Sequence, residues 1–224
     1  MTINNKIKRR RLTIFVETVI VVLLFSVIAA LYRYNYIPHK KYTSEHFGIK
    51  TYISNTDRDN DGVDDQTDIL NAAKNYVATK PKYKSKYYST GYPNDEYGVC
   101  TDVVAFALRD AGYDLRELVA QDIENNFEDY NIDVPDDKID FRRVRNLKVY
   151  FANNAIPLTL DITRIDEWQG GDIVIFENHV GIISDNRNKN GVPFIIHNGN
   201  PIQASYEEDI LQIWGTIVGH YRMS

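Results

Sequence analysis

The sequence contains one cysteine among its 224 residues. One thiol cannot form an intramolecular disulfide, and it excludes zinc and iron–sulfur sites built from several cysteines. A positive charge excess is also missing: the formal net charge is −5, which argues against a nucleic-acid-binding protein. There is no internal repeat and no low-complexity tract. With 43% hydrophobic and 25% charged residues, the composition is globular and excludes a disordered tail, a collagen-like fibre, a coiled coil and a multi-span membrane protein.

Long apolar runs are missing too, except for residues 13–32, in which Glu17 is the only charged residue. This run just reaches the roughly 20 residues that a membrane-spanning helix needs. Residues 1–12 carry five basic groups and no acidic group, which predicts a cytoplasmic basic segment, a signal-anchor at 13–32 and an extracytoplasmic body. The alternative is a signal peptide cleaved near Val27-Ile28-Ala29, which would give a secreted body.

The body is predicted to be an α+β domain behind a polar tether, residues 33–56. Apolar residues at helical spacing predict helices around residues 68–78, 100–111, 115–123 and 144–151. Short β-branched runs then predict strands at residues 172–176, 180–184, 193–197 and 216–221. Because the helices come first and no βαβ alternation occurs, the order predicts helices packed on an antiparallel meander. We expect this body to be a monomer.

Cys100 stands where a loop turns into an amphipathic helix. A helix N-terminus stabilises a thiolate, so Cys100 is a candidate nucleophile, which then needs a base and a group that orients the base. His179 and His197 lie at the ends of predicted strands, where a sheet could present them to that helix. From these residues alone, a buried structural thiol with two structural histidines is the alternative.

Seven short segments between residues 68 and 222 together resemble the bacterial domain-of-unknown-function family 1287. They are residues 98–104, 112–123, 145–147, 171–174, 179–182, 196–198 and 219–222. That family is similar to the NlpC-like branch of papain-fold cysteine hydrolases, many of which cut peptide or amide bonds in the bacterial cell wall. The resemblance implies a papain-like (NlpC-like) fold for residues 69–224 and a thiol peptidase or amidase activity on cell-wall peptide or a related amide.

The resemblance also implies a role for individual residues. Cys100 would be the nucleophile, His179 the general base and His197 the residue that orients the base. Tyr88, twelve residues before the cysteine, would lie near the oxyanion site. Asn198 is the competing third member of the triad. The implied chemistry needs no cofactor.

An acidic loop at residues 57–68, DRDNDGVDDQTD, follows the EF-hand spacing. Carboxylates on alternate residues can point inward around a hard cation while Gly62 lets the loop turn. We expect a structural Ca²⁺ ion here. Its predicted ligands are Asp57, Asp59, Asp61, the Val63 carbonyl, Asp65 and Asp68. The alternative is a solvated acidic turn in which Asp68 caps the following helix.

The sequence therefore predicts a single-pass, membrane-anchored cysteine hydrolase with a Cys–His–His triad outside the cytoplasm. Two other functions stay open. One is a non-catalytic, calcium-stabilised binding module on a papain-like scaffold, and the other is an acyltransferase or esterase that uses the same triad.

Overall fold

The computed structural model describes residues 3–223, with side chains from residue 7 onward. Within the predicted basic segment, residues 1 and 2 and the side chain of Lys6 lie outside the described part. The chain forms two compact units, Met1–His39 and Lys40–Ser224.

The first unit is dominated by helix α1 (Ile3–Arg33), whose described apolar side chains are exposed. Among the described residues, this is the one helix long and apolar enough to cross a membrane. A short turn follows the helix, and the His39 ring stacks on Tyr32 with 4.0 Å between ring centroids. The helix therefore has the length and composition of a membrane anchor or a signal sequence.

The second unit packs helices against a mixed set of short strands. Its described helices are α2 (Asp65–Ala78), α3 (Cys100–Asp110), α4 (Leu115–Asn125) and α5 (Val144–Asn154). Its described strands are β1 (Lys82–Tyr83), β2 (Tyr97–Gly98), β3 (Ile156–Pro157), β4 (Ile173–Phe176), β5 (Val180–Arg187), β6 (Pro193–Ile196), β7 (Glu207–Glu208) and β8 (Ile217–Arg222). Strands β1 and β2 form a parallel pair, and the others form an antiparallel sheet in the order β3-β8-β4-β5-β6-β7.

The sheet is buried on both faces. Successive side chains of a strand point to opposite faces, so Ile173 and Ile175 of β4 join the core shared with the helices. Val174 and Phe176 join a second cluster that contains Trp168. The prediction of an α+β domain, with helices first and an antiparallel sheet second, is confirmed.

The first helix of the body begins earlier than predicted. Helix α2 starts at Asp65 rather than Asp68, because the preceding Asp64 is the cap. Its carboxylate accepts hydrogen bonds from the backbone N–H groups of Thr67 at 3.3 Å and Ser54 at 2.8 Å. Asp68 therefore lies inside the first turn of α2, and the alternative in which it caps the helix is wrong.

Part of the predicted tether belongs to the body. Tyr42 and Arg187 exchange backbone hydrogen bonds of 2.9 and 2.8 Å, which adds a bridge beside β5. The Arg187 guanidinium is buried and donates to Ser44 Oγ at 2.9 Å. Residues 40–56 are thus packed into the second unit.

Candidate functional site

Cys100 is the first residue of α3, as the sequence predicts. The helix forms there because Val103, Val104, Ala107 and Leu108 make a fully buried apolar stripe at helical spacing. The thiol is half-buried and accepts a hydrogen bond from the backbone N–H of Val180, the residue that follows His179. Packing of α3 on β5 therefore brings the nucleophile candidate beside the base candidate.

His179 and His197 are in direct contact. His179 closes the turn between β4 and β5, where its carbonyl accepts the Phe176 N–H at 2.8 Å. His197 follows β6, which pairs with β5. The two rings meet with His179 Nε2 3.0 Å from His197 Nδ1, and both side chains are buried. The sequence-predicted orienting residue thus contacts the predicted base.

Burial shifts the pKa values of Cys100 and His179. The pKa of the Cys100 thiol is raised to about 11 by burial, and the hydrogen bond from the Val180 amide offsets only part of the effect. The pKa of His179 lies well below its ordinary value because of burial and, second, its electrostatic interaction with the neighbouring His197 ring. The helix N-terminus predicts a thiolate, but desolvation dominates. Both shifts favour a neutral thiol and a neutral imidazole.

A buried ion pair anchors the start of α3. Asp102 accepts the Val99 backbone N–H at 2.8 Å, which satisfies an amide at the helix start. Arg142 binds the same carboxylate through Nε at 2.5 Å and Nη2 at 2.9 Å, and both side chains are at most 1% exposed. The guanidinium also donates to the Lys86 carbonyl at 2.6 Å. Arg142 therefore connects the loop before Cys100 to the first turn of its helix.

Two sequence-predicted residues have different contacts from those expected. The Tyr88 hydroxyl donates to Asp95 Oδ1 at 2.7 Å. Asn198 Nδ2 donates to the carbonyls of Pro81 at 2.9 Å and Gly98 at 3.0 Å. His197, not Asn198, contacts His179. Asn198 instead ties the loop before Cys100 to the end of β6.

Sequence reasoning missed two residues at this site, Glu208 and Trp214. Glu208 on β7 contacts His197 Nε2 through Oε2 at 3.1 Å. Trp214 packs on His179 with 4.3 Å between ring centroids. Tyr83 on β1 is exposed, and its pKa is raised by burial of its hydroxyl and by the nearby Cys100. A tyrosine-rich loop is a visible signal for Tyr83, whereas a two-residue strand gives no periodicity that would have indicated Glu208.

The acidic loop gathers some of its predicted ligands. Carboxylate oxygens of Asp57, Asp59 and Asp61 all lie within 4.8 Å of one another. The pKa of Asp68 is raised to about 6 by burial and then by the charges of Asp61, Asp59 and Asp57, which places Asp68 near the same cluster. Val63 follows in the turn and donates its backbone N–H to Asp61 at 2.8 Å.

Asp65 does not fit the predicted ligand set. It is buried, and its carboxylate accepts the Tyr113 hydroxyl and, at 2.7 Å, the backbone N–H of Arg58. The reason is the early start of α2, which turns Asp65 into the body instead of the loop. The carboxylates of Asp57, Asp59 and Asp61 therefore form the group that fits Ca²⁺, and Asp68 and the Val63 carbonyl stay predicted ligands.

A groove of about 560 Å³ lies away from these groups and is lined in part by Lys50, Tyr52, Leu158 and Arg222. Its arginine is already neutralised, because Arg222 binds Asp172 at 2.7 and 2.9 Å and stacks on Tyr52. Cys100, His179 and His197 are not among the lining residues. Chemistry, rather than cavity size, therefore locates the candidate site.

Comparison with known proteins confirms the resemblance to family 1287. Residues 70–223 match the family described as "Domain of unknown function (DUF1287)". The chain belongs to this family. The uncharacterized protein YijF of Escherichia coli (strain K12) is 36% identical over 172 residues, covering 69% of this chain and 80% of YijF. No solved structure matches the chain. The DUF1287 region contains the cysteine and both histidines, and it leaves out α1 and the acidic loop.

Proposed function

We propose that this DUF1287 protein is a membrane-tethered, extracytoplasmic cysteine hydrolase with an NlpC-like, papain-type fold. Its substrate would be a peptide or related amide of the cell wall. One observation carries the proposal. His179 and His197 are in contact at 3.0 Å, and the residue after His179 donates its backbone N–H to the thiol of Cys100 at the start of α3. Nucleophile, base and orienting group are the three parts that covalent catalysis by a thiol requires.

The first half-reaction forms an acyl-enzyme. His179 Nε2 faces His197, so the proton of the Cys100 thiol must go to His179 Nδ1 as the sulfur attacks the carbonyl carbon. Backbone N–H groups at the start of α3 stabilise the oxyanion. The imidazolium then gives its proton to the departing amine nitrogen, and the C–N bond breaks. Because thiol and imidazole both start neutral, attack and proton transfer belong to one step.

The second half-reaction releases the acid. A water molecule gives a proton to His179 Nδ1 while its oxygen attacks the thioester carbonyl. The C–S bond then breaks, and the sulfur takes the proton back from His179. Tyr83 is the exposed residue beside the thiol and would border the bound substrate. Replacing the water with an alcohol or amine acceptor would give the acyltransferase alternative with the same residues.

The cellular side of the proposal rests on α1. The basic cluster that precedes its apolar run would keep the N-terminus in the cytoplasm and place the body outside. There the thiol would face an oxidising compartment, and its raised pKa would limit oxidation because oxidation proceeds through the thiolate.

Replacing His179 with alanine is expected to lower cleavage of purified peptidoglycan by about 10²- to 10⁴-fold, the usual contribution of a general base. The measurement uses the full chain in detergent and follows released fragments by mass spectrometry. His46→Ala is the matched control, because His46 is an exposed histidine in a separate 3₁₀ turn. Equal rates in both variants would refute the proposed base. A wild-type protein inactive on peptidoglycan and on other amides and esters would favour the binding module.

We also propose that the acidic loop binds a structural Ca²⁺ ion through Asp57, Asp59, Asp61 and Asp68. Close carboxylates repel one another, and a cation would remove the repulsion that raises the pKa of Asp68 to about 6. The loop leads directly into α2, whose cap Asp64 binds Ser54. Calcium would therefore stabilise the connection between residues 40–56 and the helices.

Adding about 10 mM Ca²⁺ is expected to stabilise the protein by about 1–3 kcal/mol, if Kd lies on the order of 10⁻⁴ to 10⁻³ M. Differential scanning calorimetry should then show a rise in Tm of about 3–10 °C. The Asp59→Asn/Asp61→Asn variant should lose this response, whereas Asp161→Asn, an exposed acid in another loop, should keep it. An unchanged Tm in the wild type would contradict the calcium site.

A further inference from the structure

We propose that Glu208 is a positioning residue that fixes the tautomers of both histidines, so that His179 offers a bare Nδ1 to the thiol. The inference rests on the proposed function, because it assigns a task to the proposed base. It concerns a fourth residue, on the strand beyond His197, that touches neither the thiol nor His179 in the described contacts.

The position of Glu208 is defined by the sheet. Strand β7 pairs with β6 in antiparallel register, and the His197 N–H donates to the Tyr206 carbonyl at 2.9 Å. The Glu208 side chain is 5% exposed. Its Oε2 lies 3.1 Å from His197 Nε2, and its Oε1 lies 3.3 Å from the Ser205 N–H. Each carboxylate oxygen of Glu208 therefore has its own nitrogen partner in a buried environment.

The tautomers follow from this chain of contacts. An ionised carboxylate only accepts hydrogen bonds, so His197 Nε2 must carry the proton that it donates to Glu208. In a neutral His197, Nδ1 is then bare and accepts from His179 Nε2 at 3.0 Å. His179 consequently carries its proton on Nε2, and its Nδ1 is bare. Without an acceptor at Glu208, both rings could take the opposite tautomer, which blocks His179 Nδ1 with a proton.

Glutamine at position 208 would select the opposite tautomers. The Ser205 N–H needs an acceptor, so it holds the glutamine carbonyl oxygen and turns the NH₂ group toward His197. His197 Nε2 must then be bare, and Nδ1 carries the proton. That proton is donated to His179 Nε2, which leaves the His179 proton on Nδ1. Glu208→Gln, a buried substitution that hardly changes the size of the side chain, therefore reverses the tautomers of both histidines.

The neighbouring acid supplies a matched control. Glu207 lies on the same short strand, and its carboxylate binds Lys41, Ser184 and, at 2.8 Å, Asn186. Glu207→Gln removes one acid from β7 without touching either histidine. A general effect of lost charge or of a weakened strand would appear in both variants, whereas an effect on tautomers would appear only in Glu208→Gln.

The test is ¹⁵N nuclear magnetic resonance of the histidine rings in the full chain. The ring signals are assigned with variants in which one histidine at a time is replaced. A bare ring nitrogen and a protonated one have clearly separated ¹⁵N shifts, so each tautomer is read directly. The expected pattern is Nε2–H for both His179 and His197 in the wild type, in Glu207→Gln and in Glu208→Asp, which remains an acceptor. Glu208→Gln should show Nδ1–H for both. Wild-type tautomers in Glu208→Gln would overturn the proposal, and so would Nδ1–H in the wild type.

Turnover separates this proposal from the proposed function. Where the wild type cleaves peptidoglycan, Glu208→Gln should lower kcat by about 10²- to 10⁴-fold with little change in KM, since the wrong tautomer of a catalytic histidine has effects of this size. Reversed tautomers with unchanged kcat would overturn the positioning role. A wild type without hydrolase activity would refute the function, and the ring spectra would then still decide whether Glu208 sets the tautomers.

Discussion

Replacing Cys100 with alanine is expected to abolish cleavage of cell-wall peptide, with a fall of about 10⁴-fold or more, while the protein stays folded. Without sulfur there is no acyl-enzyme, and His179 has no proton to accept from the nucleophile. The thiol is half-buried, so its removal should change the free energy of unfolding by only about 1 kcal/mol. Released fragments are measured by mass spectrometry and Tm by calorimetry. Sustained hydrolysis by Cys100→Ala would rule out covalent catalysis.

The reactivity of the wild-type thiol tests independently whether Cys100 is a neutral thiol or a thiolate. Since burial raises the pKa of Cys100 to about 11, alkylation by iodoacetamide should accelerate steadily from pH 7 to about pH 11. A rate that is already maximal below pH 8 would mean a preformed thiolate–imidazolium pair. The distinction matters because a neutral pair reacts quickly only with a substrate that occupies the oxyanion site, and this would limit reaction with unrelated electrophiles.

Replacing Arg142 with leucine is expected to destabilise the body by about 3–5 kcal/mol, the cost of leaving a buried charge without its partner. Asp102 would keep its contact with the Val99 N–H but lose both hydrogen bonds from the guanidinium. The Lys86 carbonyl would also lose its donor. Urea unfolding followed by circular dichroism gives the change in the free energy of unfolding.

Arg143 provides the comparison at the next position. Its guanidinium is 40% exposed and lies 3.6 Å from Asp140, so Arg143→Leu should cost less than about 1 kcal/mol. Adding Asp102→Leu to Arg142→Leu should recover part of the loss, because the unpaired carboxylate is removed. Equal destabilisation by Arg142→Leu and Arg143→Leu would show that the buried pair does not hold the start of α3.

Local patterns in the sequence predicted much of this structure. The stripe from Val103 to Leu108 fixes α3 and therefore the position of Cys100 at its first residue. The β-branched runs predicted β4, β5, β6 and β8 to within a few residues, because a central strand buried on both faces reads as a short continuous apolar run. Each of these features depends on neighbours close in the chain.

Features that depend on distant contacts were not predictable in this way. Asp65 matches a calcium-ligand position in the sequence, yet Tyr113, 48 residues away, takes its carboxylate. Glu208 belongs to a strand of two residues, and its importance comes from His197 across the sheet. Tyr88 has the spacing of an oxyanion residue, but Asp95 binds its hydroxyl. A short polar side chain can satisfy several partners, and the fold decides among them.

The Pro81 carbonyl accepts from Asn198 Nδ2 and from the Tyr206 hydroxyl, each at 2.9 Å. The two donors both lie between His197 and Glu208 in the chain. One oxygen atom, on the residue just before β1 and Tyr83, therefore binds two points of the segment that joins His197 to Glu208. Opening of residues 81–83 would release residues 198–206 as well, so the two stretches would loosen together as a single unit of local unfolding.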